Sequence, residues 1–290
     1  MRVLVTGGAG LLGARLAADR PPSVELHRTW HRARPEVGAD PAAGVGEWHQ
    51  VDLTERDATA ALVRGLQPDV VVHTAYSVSD GERAIVAASA HVADAAATAG
   101  AGLVHLSSDV VFDGEHAPYG EDDHPVPISE YGRHKAEAEA HVRSACPQAA
   151  IVRTSLITWA DPLDPRSAWV ADALRAGDPI TLFTDEIRCP VRLDDLAAQV
   201  WELALLEGDA QAGAWHLVGT EALSRYDLGI LIAEHAGLDP ARIDAASSRS
   251  QPHPRPRDLR LTASRADVAL STRSRSVRTL LAPTPPPSGP

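Results

Sequence analysis

The sequence contains very little lysine. Of its 27 basic residues, 26 are arginine, and Lys135 is the single lysine. A coding bias toward arginine explains this composition, because either residue can supply a solvated positive charge. At a site of chemistry the two differ, since lysine carries a compact ammonium group and arginine a broad, planar guanidinium group. A lysine retained in such a sequence is therefore a candidate for a chemical role.

Other scarcities exclude whole classes of protein. Cys146 and Cys189 are the only cysteines and lack the spacing of a disulfide framework or a metal site. The 13 histidines are scattered without a His-Glu-x-x-His motif, so we expect no metal site. There is no run of about 18 apolar residues to span a membrane, and the formal net charge of -12 argues against a nucleic-acid partner. The glycine-rich segment begins at Gly7, too early to follow a signal peptide, so we expect a cytoplasmic protein that acts on a small molecule.

Short apolar runs alternate with helical patterns through the first half of the chain, which is typical of parallel strands joined by helices. This alternation predicts an α/β protein with a Rossmann-type, doubly wound parallel sheet and a smaller C-terminal substrate-binding region. The predicted strands are residues 3–5, 24–30, 48–51, 70–72, 103–106 and 150–153, and the predicted helices are 11–18, 54–66, 84–99, 131–145, 168–176, 193–206 and 227–236.

A glycine-rich loop directly follows the first predicted strand. Residues 6–13 read TGGAGLLG, with Gly7, Gly10 and Gly13 spaced three apart. Glycines at these positions allow a tight turn, a close approach to a pyrophosphate and close packing of helix on strand. The main-chain N–H groups of Leu11 and Leu12, at the start of the helix, would then face the phosphates. A tight turn without a ligand requires the same residues, but the position between a strand and a helix favours dinucleotide binding.

The end of the second strand favours NADP(H) over NAD(H). An acidic residue there binds the 2'-hydroxyl of the ribose, whereas a basic residue accommodates a 2'-phosphate. Here Arg32 and Arg34 follow the strand, and Glu25 lies too early to take the acidic role. Both arginines can form charge-assisted hydrogen bonds with a phosphate, although a solvated loop would also carry them. We expect residues 1–155 to form an NADP-binding Rossmann domain. Residues 156–281 are expected to form mainly a substrate-binding region, with some segments returning to the first domain. Residues 282–290 contain five prolines and are expected to form a disordered tail.

Further cofactor contacts are expected where the third and fourth strands end. Asp52 and Leu53 follow the third strand, where Asp52 either contacts the adenine or caps a helix. Thr74, Ala75 and Tyr76 follow the fourth strand, where Tyr76 either lines the substrate pocket or covers the edge of the sheet. Both pairs of alternatives stay open at this point.

Ser108, Tyr131 and Lys135 form the candidate catalytic group. Ser108 closes the fifth strand, and Tyr131 and Lys135 lie four apart at the start of the next helix, so both face one side. An ammonium group near the phenol is expected to lower its pKa, which suits a tyrosine that donates a proton to a carbonyl oxygen as hydride reaches the carbon. Ser108 can hydrogen-bond the same oxygen. An ordinary tyrosine–lysine pair on a solvated helix is the alternative.

Together these motifs resemble dTDP-4-dehydrorhamnose reductase, an extended short-chain dehydrogenase/reductase. The resemblance includes the glycine loop, SSDVVFDG at 107–114, YGED at 119–122 and the Tyr131/Lys135 pair, and extends to IVRTS at 151–155 and RPRDLRL at 255–261. It implies reduction of a nucleotide-linked 4-ketosugar by NADPH, with Ser108, Tyr131 and Lys135 at the family's catalytic positions. HRARP at 31–35 is also similar to the regulatory beta subunit of methionine adenosyltransferase, which binds NADP and regulates a partner.

The substrate half departs from the family pattern. Ile85 falls about where the family has an asparagine, Leu156 stands where a tryptophan often lies against the sugar, and RCPV at 188–191 replaces Gly-x-Pro-Thr. Two other functions therefore stay open: an NADP-binding regulatory protein without turnover, and an NAD-dependent sugar epimerase or dehydratase. Arg255, Arg257 and Arg260 either bind a diphosphate or are surface residues. The small residues of helix 84–99 suit either a homodimer contact or packing in the core.

Overall fold

A computed structural model of the chain describes residues 1–33, 42, 44–77, 80–206 and 208–282. Arg34 lies outside the described residues, as does the predicted tail from residue 283 onward. The order of secondary-structure elements begins with the strand, glycine loop and helix that the sequence predicts.

A parallel sheet forms the centre of the protein. In chain order, the strands of the described residues are Arg2–Thr6 (β1), Glu25–Trp30 (β2), Glu47–Gln50 (β3), Val70–His73 (β4), Gly102–Ser108 (β5), Ala150–Thr154 (β6), Ile157–Thr158 (β7), Ile180–Phe183 (β8), Ile187–Arg188 (β9), Val191–Arg192 (β10), Gly213–Leu217 (β11), Leu223–Ser224 (β12) and Ile243–Ala246 (β13). Seven of them pair in the order β11-β6-β5-β4-β1-β2-β3, and every pairing is parallel. This order reverses beside β1, so a crevice forms at the carboxyl ends of β1 and β4, where such sheets bind ligands.

Helices cover both faces of the sheet. They are Leu11–Ala18 (α1), Arg56–Leu66 (α2), Ala88–Ala99 (α3), Glu130–Ala145 (α4), Pro165–Ala176 (α5), Leu193–Ala204 (α6), Arg225–His235 (α7), Ser264–Ala269 (α8) and Val277–Leu280 (α9), with a π-helical turn at Glu82–Ala87 and 3-10 turns at Asp109–Val111, Gly208–Gln211, Pro240–Arg242 and Ser248–Ser250. Residues of α1 and α6 pack in one core with Val3 and Val5, and residues of α2, α3 and α4 pack in another with Leu4. Consecutive valines and leucines of β1 thus face opposite layers, as in a strand buried on both sides. The predicted doubly wound α/β fold is confirmed.

Two elements differ from the sequence-based expectation. The sheet has a seventh strand, β11, which pairs with β6. The sequence does not predict it because its five residues, GAWHL, include a glycine and a histidine and so form no continuous apolar run. The predicted helix 84–99 instead begins as the π-helical turn, before α3 continues it. Its alanines are explained by packing, because Ala93 and Ala96 are fully buried in the core. A homodimer stays a prediction.

A smaller core lies beyond β6. Leu174, Ile180, Leu228 and Ile232 belong to it, and they bring together α5, α7 and the paired strands β8 and β13. Meanwhile α6 and β11 lie in the layers of the central sheet. None of the helices among the described residues has the length and apolar character to cross a bilayer.

Candidate active site

The glycine loop joins β1 to α1 at the crevice. Gly7 has a φ of +68°, a left-handed conformation that favours glycine. A Cβ atom on Gly13 would lie 2.4 Å from the carbonyl oxygen of Gly7, so the helix can approach the loop only without a side chain there. The N-cap Gly10 offers no side-chain acceptor, and Gly10 and Leu11 are exposed while Leu12 is buried. The first N–H groups of α1 therefore face an open surface, as a phosphate site requires.

Arg28 supports this loop from beneath, a role that sequence reasoning missed. Its side chain is fully buried and donates hydrogen bonds to the carbonyl oxygens of Gly8, at 2.6 Å, and Ala42, at 2.7 Å. The guanidinium group also lies 4.0 Å from the ring centroid of Trp48. The signal was an arginine in the middle of a predicted strand, since a charge in that position can be buried only where hydrogen-bond acceptors surround it. Arg28 thus ties the glycine loop to the edge of the sheet.

The residues expected at the adenosine end lie after β2 and β3. Arg32 is exposed, and no ion pair joins it to an acidic residue in the described part of the chain. The neighbouring His31 pairs with Asp52 at 3.4 Å, and Leu53 beside it is buried. Burial alone would raise the pKa of Asp52, but hydrogen bonds from Thr54 outweigh it and hold that pKa below its usual value. Asp52 therefore stabilises its own turn, while the N-cap of α2 is Glu55.

Thr74, Ala75 and Tyr76 leave β4 directly beside the glycine loop. The hydroxyl of Thr74 donates a hydrogen bond to the carbonyl oxygen of Thr6 at 2.7 Å. A Cβ atom on Gly7 would lie 2.8 Å from the Cα of Ala75, so the two segments touch. Tyr76 is 53% exposed and its ring lies 6.2 Å from that of Tyr131. Tyr76 thus faces the crevice, where it links the cofactor-side and catalytic segments.

The start of α4 fixes the position of Tyr131. Ser129 caps the helix by accepting a hydrogen bond from the N–H of Gly132 at 3.0 Å, so Tyr131 occupies the first turn. One turn later, Lys135 points inward and is 4% exposed. Its ammonium group lies 5.1 Å from the ring centroid of Tyr76. Tyr76, Tyr131 and Lys135 therefore form one cluster at the carboxyl edge of the sheet.

The phenol of Tyr131 titrates higher than an exposed tyrosine. Burial is the main cause that raises its pKa, with Tyr76 and Asp109 adding to it, while Arg166 and Ser108 oppose the increase. The expectation of a lowered pKa is therefore wrong, because burial outweighs the opposing effects of Arg166 and Ser108. A phenol with a raised pKa keeps its proton at neutral pH, which is the form that a proton donor needs.

Ser108 lies at the carboxyl end of β5, next to an acidic residue that sequence reasoning did not single out. Its hydroxyl is 3.2 Å from Asp109, whose carboxylate also accepts a hydrogen bond from Ser155 at 2.6 Å. Asp109 is buried, and burial raises its pKa although Arg188 and the two serines oppose this. The Arg188 guanidinium lies 3.8 Å from Asp109. Asp109 therefore orients Ser108 and places a carboxyl group close to the phenol of Tyr131.

A buried ionic group lies behind the catalytic cluster. Glu139, one turn after Lys135 on α4, accepts hydrogen bonds from Ser107 at 2.5 Å and Arg153 at 3.0 Å. The side chains of Glu139 and Arg153 are each 1% exposed. Burial lowers the pKa of Lys135 to about 8, and Glu139 opposes this shift. The carboxylate thus helps to keep the buried lysine positively charged.

Each of the late arginines has an acidic partner. Arg255 pairs with Glu186, Arg257 with Glu115 at 2.5 Å, and Arg260 with Asp258 at 2.7 Å. Their acidic partners make these three residues parts of ion pairs.

A cavity beyond β6 carries two other arginines. It lies among β7, α5 and α7, and its lining includes Leu156, Arg166 and Arg225. Arg166 is close enough to Tyr131 to influence the phenol. The cavity is small, and its lining also includes the buried Asp164, so the two arginines share it with a carboxylate.

Sequence comparison identifies relatives over nearly the whole chain. The profile of the family described as the RmlD substrate binding domain matches residues 1–284. The probable low-salt glycan biosynthesis reductase Agl14 of Haloferax volcanii is 32% identical over 274 residues, which cover 89% of this chain and 88% of that protein. The dTDP-4-dehydrorhamnose reductase of Mycobacterium tuberculosis is 31% identical, over 88% of this chain and 82% of that protein. Methionine adenosyltransferase 2 subunit beta of Rattus norvegicus is 30% identical, over 82% of this chain and 72% of that protein.

Solved structures share the fold. A dTDP-4-dehydrorhamnose reductase from Clostridium acetobutylicum superposes with a TM-score of 0.80 at 22% identity, over 97% of each chain. A dTDP-4-dehydrorhamnose reductase from Bacillus anthracis, in complex with NADP, superposes with a TM-score of 0.78 at 20% identity, over 97% of this chain and 95% of that one.

Proposed function

Because the chain belongs to the RmlD substrate binding domain family, we propose that it is an NADPH-dependent reductase that acts on the carbonyl group of a nucleotide-linked 4-ketosugar. The observation that carries this proposal is the position of buried Lys135 one helical turn from Tyr131, beside the strand end that holds Ser108. These three residues supply a proton donor, a fixed positive charge and a hydrogen-bond donor around one point. A carbonyl oxygen that gains negative charge requires this combination.

The glycine loop fits a dinucleotide. Gly7 and Gly13 allow the turn and the close approach of α1, and the exposed helix start at Gly10 and Leu11 offers N–H groups to a pyrophosphate. When bound, the nicotinamide supplies the hydride that reduces the carbonyl carbon. The exposed Arg32 at the end of β2 favours NADP(H), because a 2'-phosphate provides the anionic partner that Arg32 has nowhere among the described residues. The Bacillus anthracis reductase of the same fold holds NADP.

The proton comes from Tyr131. Its raised pKa keeps the phenol protonated until the oxygen of the substrate becomes basic, and Ser108 orients that oxygen by a hydrogen bond. Lys135 would then stabilise the phenolate, since its ammonium group is buried one helical turn from Tyr131, in a site of weak screening. Asp109 holds Ser108 in place.

Two arginines near Tyr131 support an anionic substrate. Arg166 and Arg225 line a small cavity together with Leu156 and Asp164, and Arg166 is exposed. We propose that Arg166 and Arg225 contact the diphosphate of the substrate, because Arg166 is accessible and lies close enough to Tyr131 to influence its phenol. Because α6 and β11 pack with the central sheet, we propose that they hold the cofactor together with residues 1–155. The remaining elements up to residue 281 would hold the substrate.

The test is turnover. Purified protein is mixed with NADPH and a panel of nucleotide-linked 4-ketosugars, and the loss of NADPH absorbance is followed. We expect oxidation of NADPH with at least one ketosugar, and its loss in the variant Tyr131→Phe. NADPH binding without turnover on the whole panel would contradict the reductase function.

A regulatory protein without turnover is the second candidate. It is favoured by the 30% identity to methionine adenosyltransferase 2 subunit beta. A regulator has no need for Ser108, Tyr131 and Lys135 together, so their convergence favours the enzyme. An NAD-dependent epimerase or dehydratase is less compatible with Arg32, since NAD lacks the 2'-phosphate. Binding of NADPH that is unaffected by Tyr131→Phe, with no turnover, would support the regulator.

A further inference from the structure

Three side chains that can bind a metal ion meet at the edge of the sheet. The edge strand β3 pairs with β2 in a register that places Glu47 opposite His27 and His49 opposite Thr29. Because side chains alternate along a strand, His27, Glu47 and His49 point to the same face. The sequence gives no motif for this group, since Glu47 and His49 lie two residues apart on β3 and His27 is on another strand.

The ligand atoms of these residues are spaced as in a metal site. Nδ1 of His27 lies 3.0 Å from Nε2 of His49 and 3.6 Å from a carboxylate oxygen of Glu47. All three ligand atoms lie within 4.8 Å of one another. Around a tetrahedral zinc ion with bonds of about 2.0–2.1 Å, neighbouring ligand atoms are roughly 3.3–3.4 Å apart. The observed spacing therefore needs changes of only a few tenths of an ångström about the shared atom of His27.

The other ring nitrogen of His27 is held by a carboxylate. Its Nε2 lies 3.1 Å from Glu25, and Arg2 holds Glu25 in turn through contacts of 3.1 Å and 3.3 Å. An Nε2–H that donates to Glu25 leaves the lone pair of Nδ1 directed at His49 and Glu47. A carboxylate in this position is the usual partner of a metal-binding histidine, because it fixes the tautomer and the orientation of the ring.

We propose that His27, Glu47 and His49 form a zinc site that links β2 to β3. Two imidazoles and one carboxylate suit zinc better than magnesium or calcium, which prefer oxygen ligands. His27 is buried, His49 is half-buried and Glu47 is exposed, so the ion enters from the solvent on the Glu47 side. A water molecule completes the coordination.

The site would stabilise the part of the sheet that leads to the adenosine end of the crevice. β3 pairs within the sheet only with β2. Arg32 follows β2 and Asp52 follows β3, so a metal ion that joins the two strands also fixes the positions from which these residues emerge. Because the folded chain assembles these ligands and the unfolded chain does not, zinc should raise the melting temperature.

Metal titration of the full-length protein tests the proposal. The protein is treated with a chelator, dialysed and titrated with Zn²⁺ by calorimetry and with Co²⁺ by visible absorption. We expect one equivalent of Zn²⁺ to bind, a Co²⁺ spectrum of the four-coordinate type, and a rise of several degrees in melting temperature with Zn²⁺. The variants His49→Gln and Glu47→Gln should each bind at least tenfold more weakly, and Glu25→Gln roughly 10- to 100-fold more weakly.

The matched control is His253→Gln, which removes an exposed histidine outside the cluster. This variant should bind zinc as the unaltered protein does. Glu47 is exposed, so Glu47→Gln keeps the test decisive even where a histidine variant fails to fold. The absence of stoichiometric binding, or equal affinity in the unaltered protein, His49→Gln and Glu47→Gln, would overturn the proposal.

Discussion

The ammonium group of Lys135 donates a hydrogen bond to the main-chain carbonyl oxygen of Leu106, over 2.8 Å. This bond ties α4 to β5 two residues before Ser108, so the helix that carries Tyr131 and the strand that carries Ser108 are fixed to each other through the lysine. The side chain is buried, and burial brings its pKa down to about 8, so it is still mainly charged at pH 7. The bond therefore fixes a buried positive charge one helical turn from Tyr131.

Replacement of Lys135 by arginine keeps the positive charge but changes its position, so it should show which of the two turnover requires. The guanidinium group is broader and planar, so it cannot reach the carbonyl oxygen of Leu106 from the same buried position. We expect Lys135→Arg to fold with a lower melting temperature and to bind NADPH with modest loss, while turnover falls on the order of 100-fold or more. Steady-state kinetics and fluorescence titration with NADPH measure the two effects. Near-normal turnover would mean that the single lysine is an accident of composition.

The turnover rate of the double variant Lys135→Arg/Tyr131→Phe should be at most a few-fold lower than that of Tyr131→Phe. Tyr131→Phe removes the proton donor, and Lys135 acts through that same proton transfer, so the second change has little left to impair. Single-turnover rates with excess enzyme are measured for the unaltered protein, the two single variants and the double variant, which complete a double-mutant cycle. Full additivity of the two losses would indicate that Lys135 acts separately from Tyr131.

Removal of the buried charge should stabilise the fold. Burial lowers the pKa of Lys135 from 10.5 to about 8, so Lys135→Met should raise the free energy of unfolding at pH 7 by up to about 3 kcal/mol while it abolishes turnover. Between these two pKa values the unfolded chain binds more protons than the folded chain, so the stability of the unaltered protein rises with pH. The difference in unfolding free energy between Lys135→Met and the unaltered protein should therefore fall by about half near pH 9.5. Urea unfolding at pH 7 and pH 9.5 measures this difference. The exposed Arg133, on the same helix, provides the control Arg133→Met, for which no such pH dependence is expected.

Arg32 should determine the choice of nucleotide. We expect NADPH to bind at least tenfold more tightly than NADH, and Arg32→Ala to reduce that preference by roughly ten- to 100-fold, because one to two charge-assisted hydrogen bonds of about 1.5–3 kcal/mol are lost. NADH affinity should stay nearly constant. Arg64→Ala, which removes an exposed arginine from the last turn of α2, should leave both affinities unchanged. Equal affinities for the two nucleotides in the unaltered protein would refute this role.

Glu139 should be essential for stability. Glu139→Gln leaves Arg153 buried without its carboxylate partner, which should cost roughly 3–5 kcal/mol of unfolding free energy. It should also lower the pKa of Lys135 further, since Glu139 is the group that raises it. The exposed Glu137 gives the control Glu137→Gln, with an effect within about 0.5 kcal/mol. Denaturant titration of both variants measures the costs, and a loss below about 1 kcal/mol in Glu139→Gln would show that the pair is unimportant.

Short sequence patterns predict much of the candidate site. The glycine spacing of Gly7, Gly10 and Gly13 and the interval between Tyr131 and Lys135 could be read directly, because each expresses the geometry of one turn or one helix. Arg28, Asp109 and Glu139 could not be assigned in this way. Their roles depend on partners 14 to 46 residues away in the sequence, namely Gly8 for Arg28, Ser155 for Asp109 and Arg153 for Glu139.

The direction of the Tyr131 pKa shift also could not be predicted from the local sequence. The helix places a positive charge one turn away, and from that alone a lowered pKa follows. Only the packed structure reveals how completely the phenol is withdrawn from water, and burial is the larger effect.

By itself, the sequence determined the α/β class, the glycine loop and the Ser108, Tyr131 and Lys135 set, because strand periodicity, helix periodicity and turn chemistry act over a few residues. The tertiary structure decided the addition of β11 to the sheet, the pairing of Arg255, Arg257 and Arg260 with acidic residues, and the meeting of His27 with Glu47 and His49. These features depend on strand register and on contacts between distant segments. Such contacts form only when the whole core packs, and no short stretch of sequence specifies them.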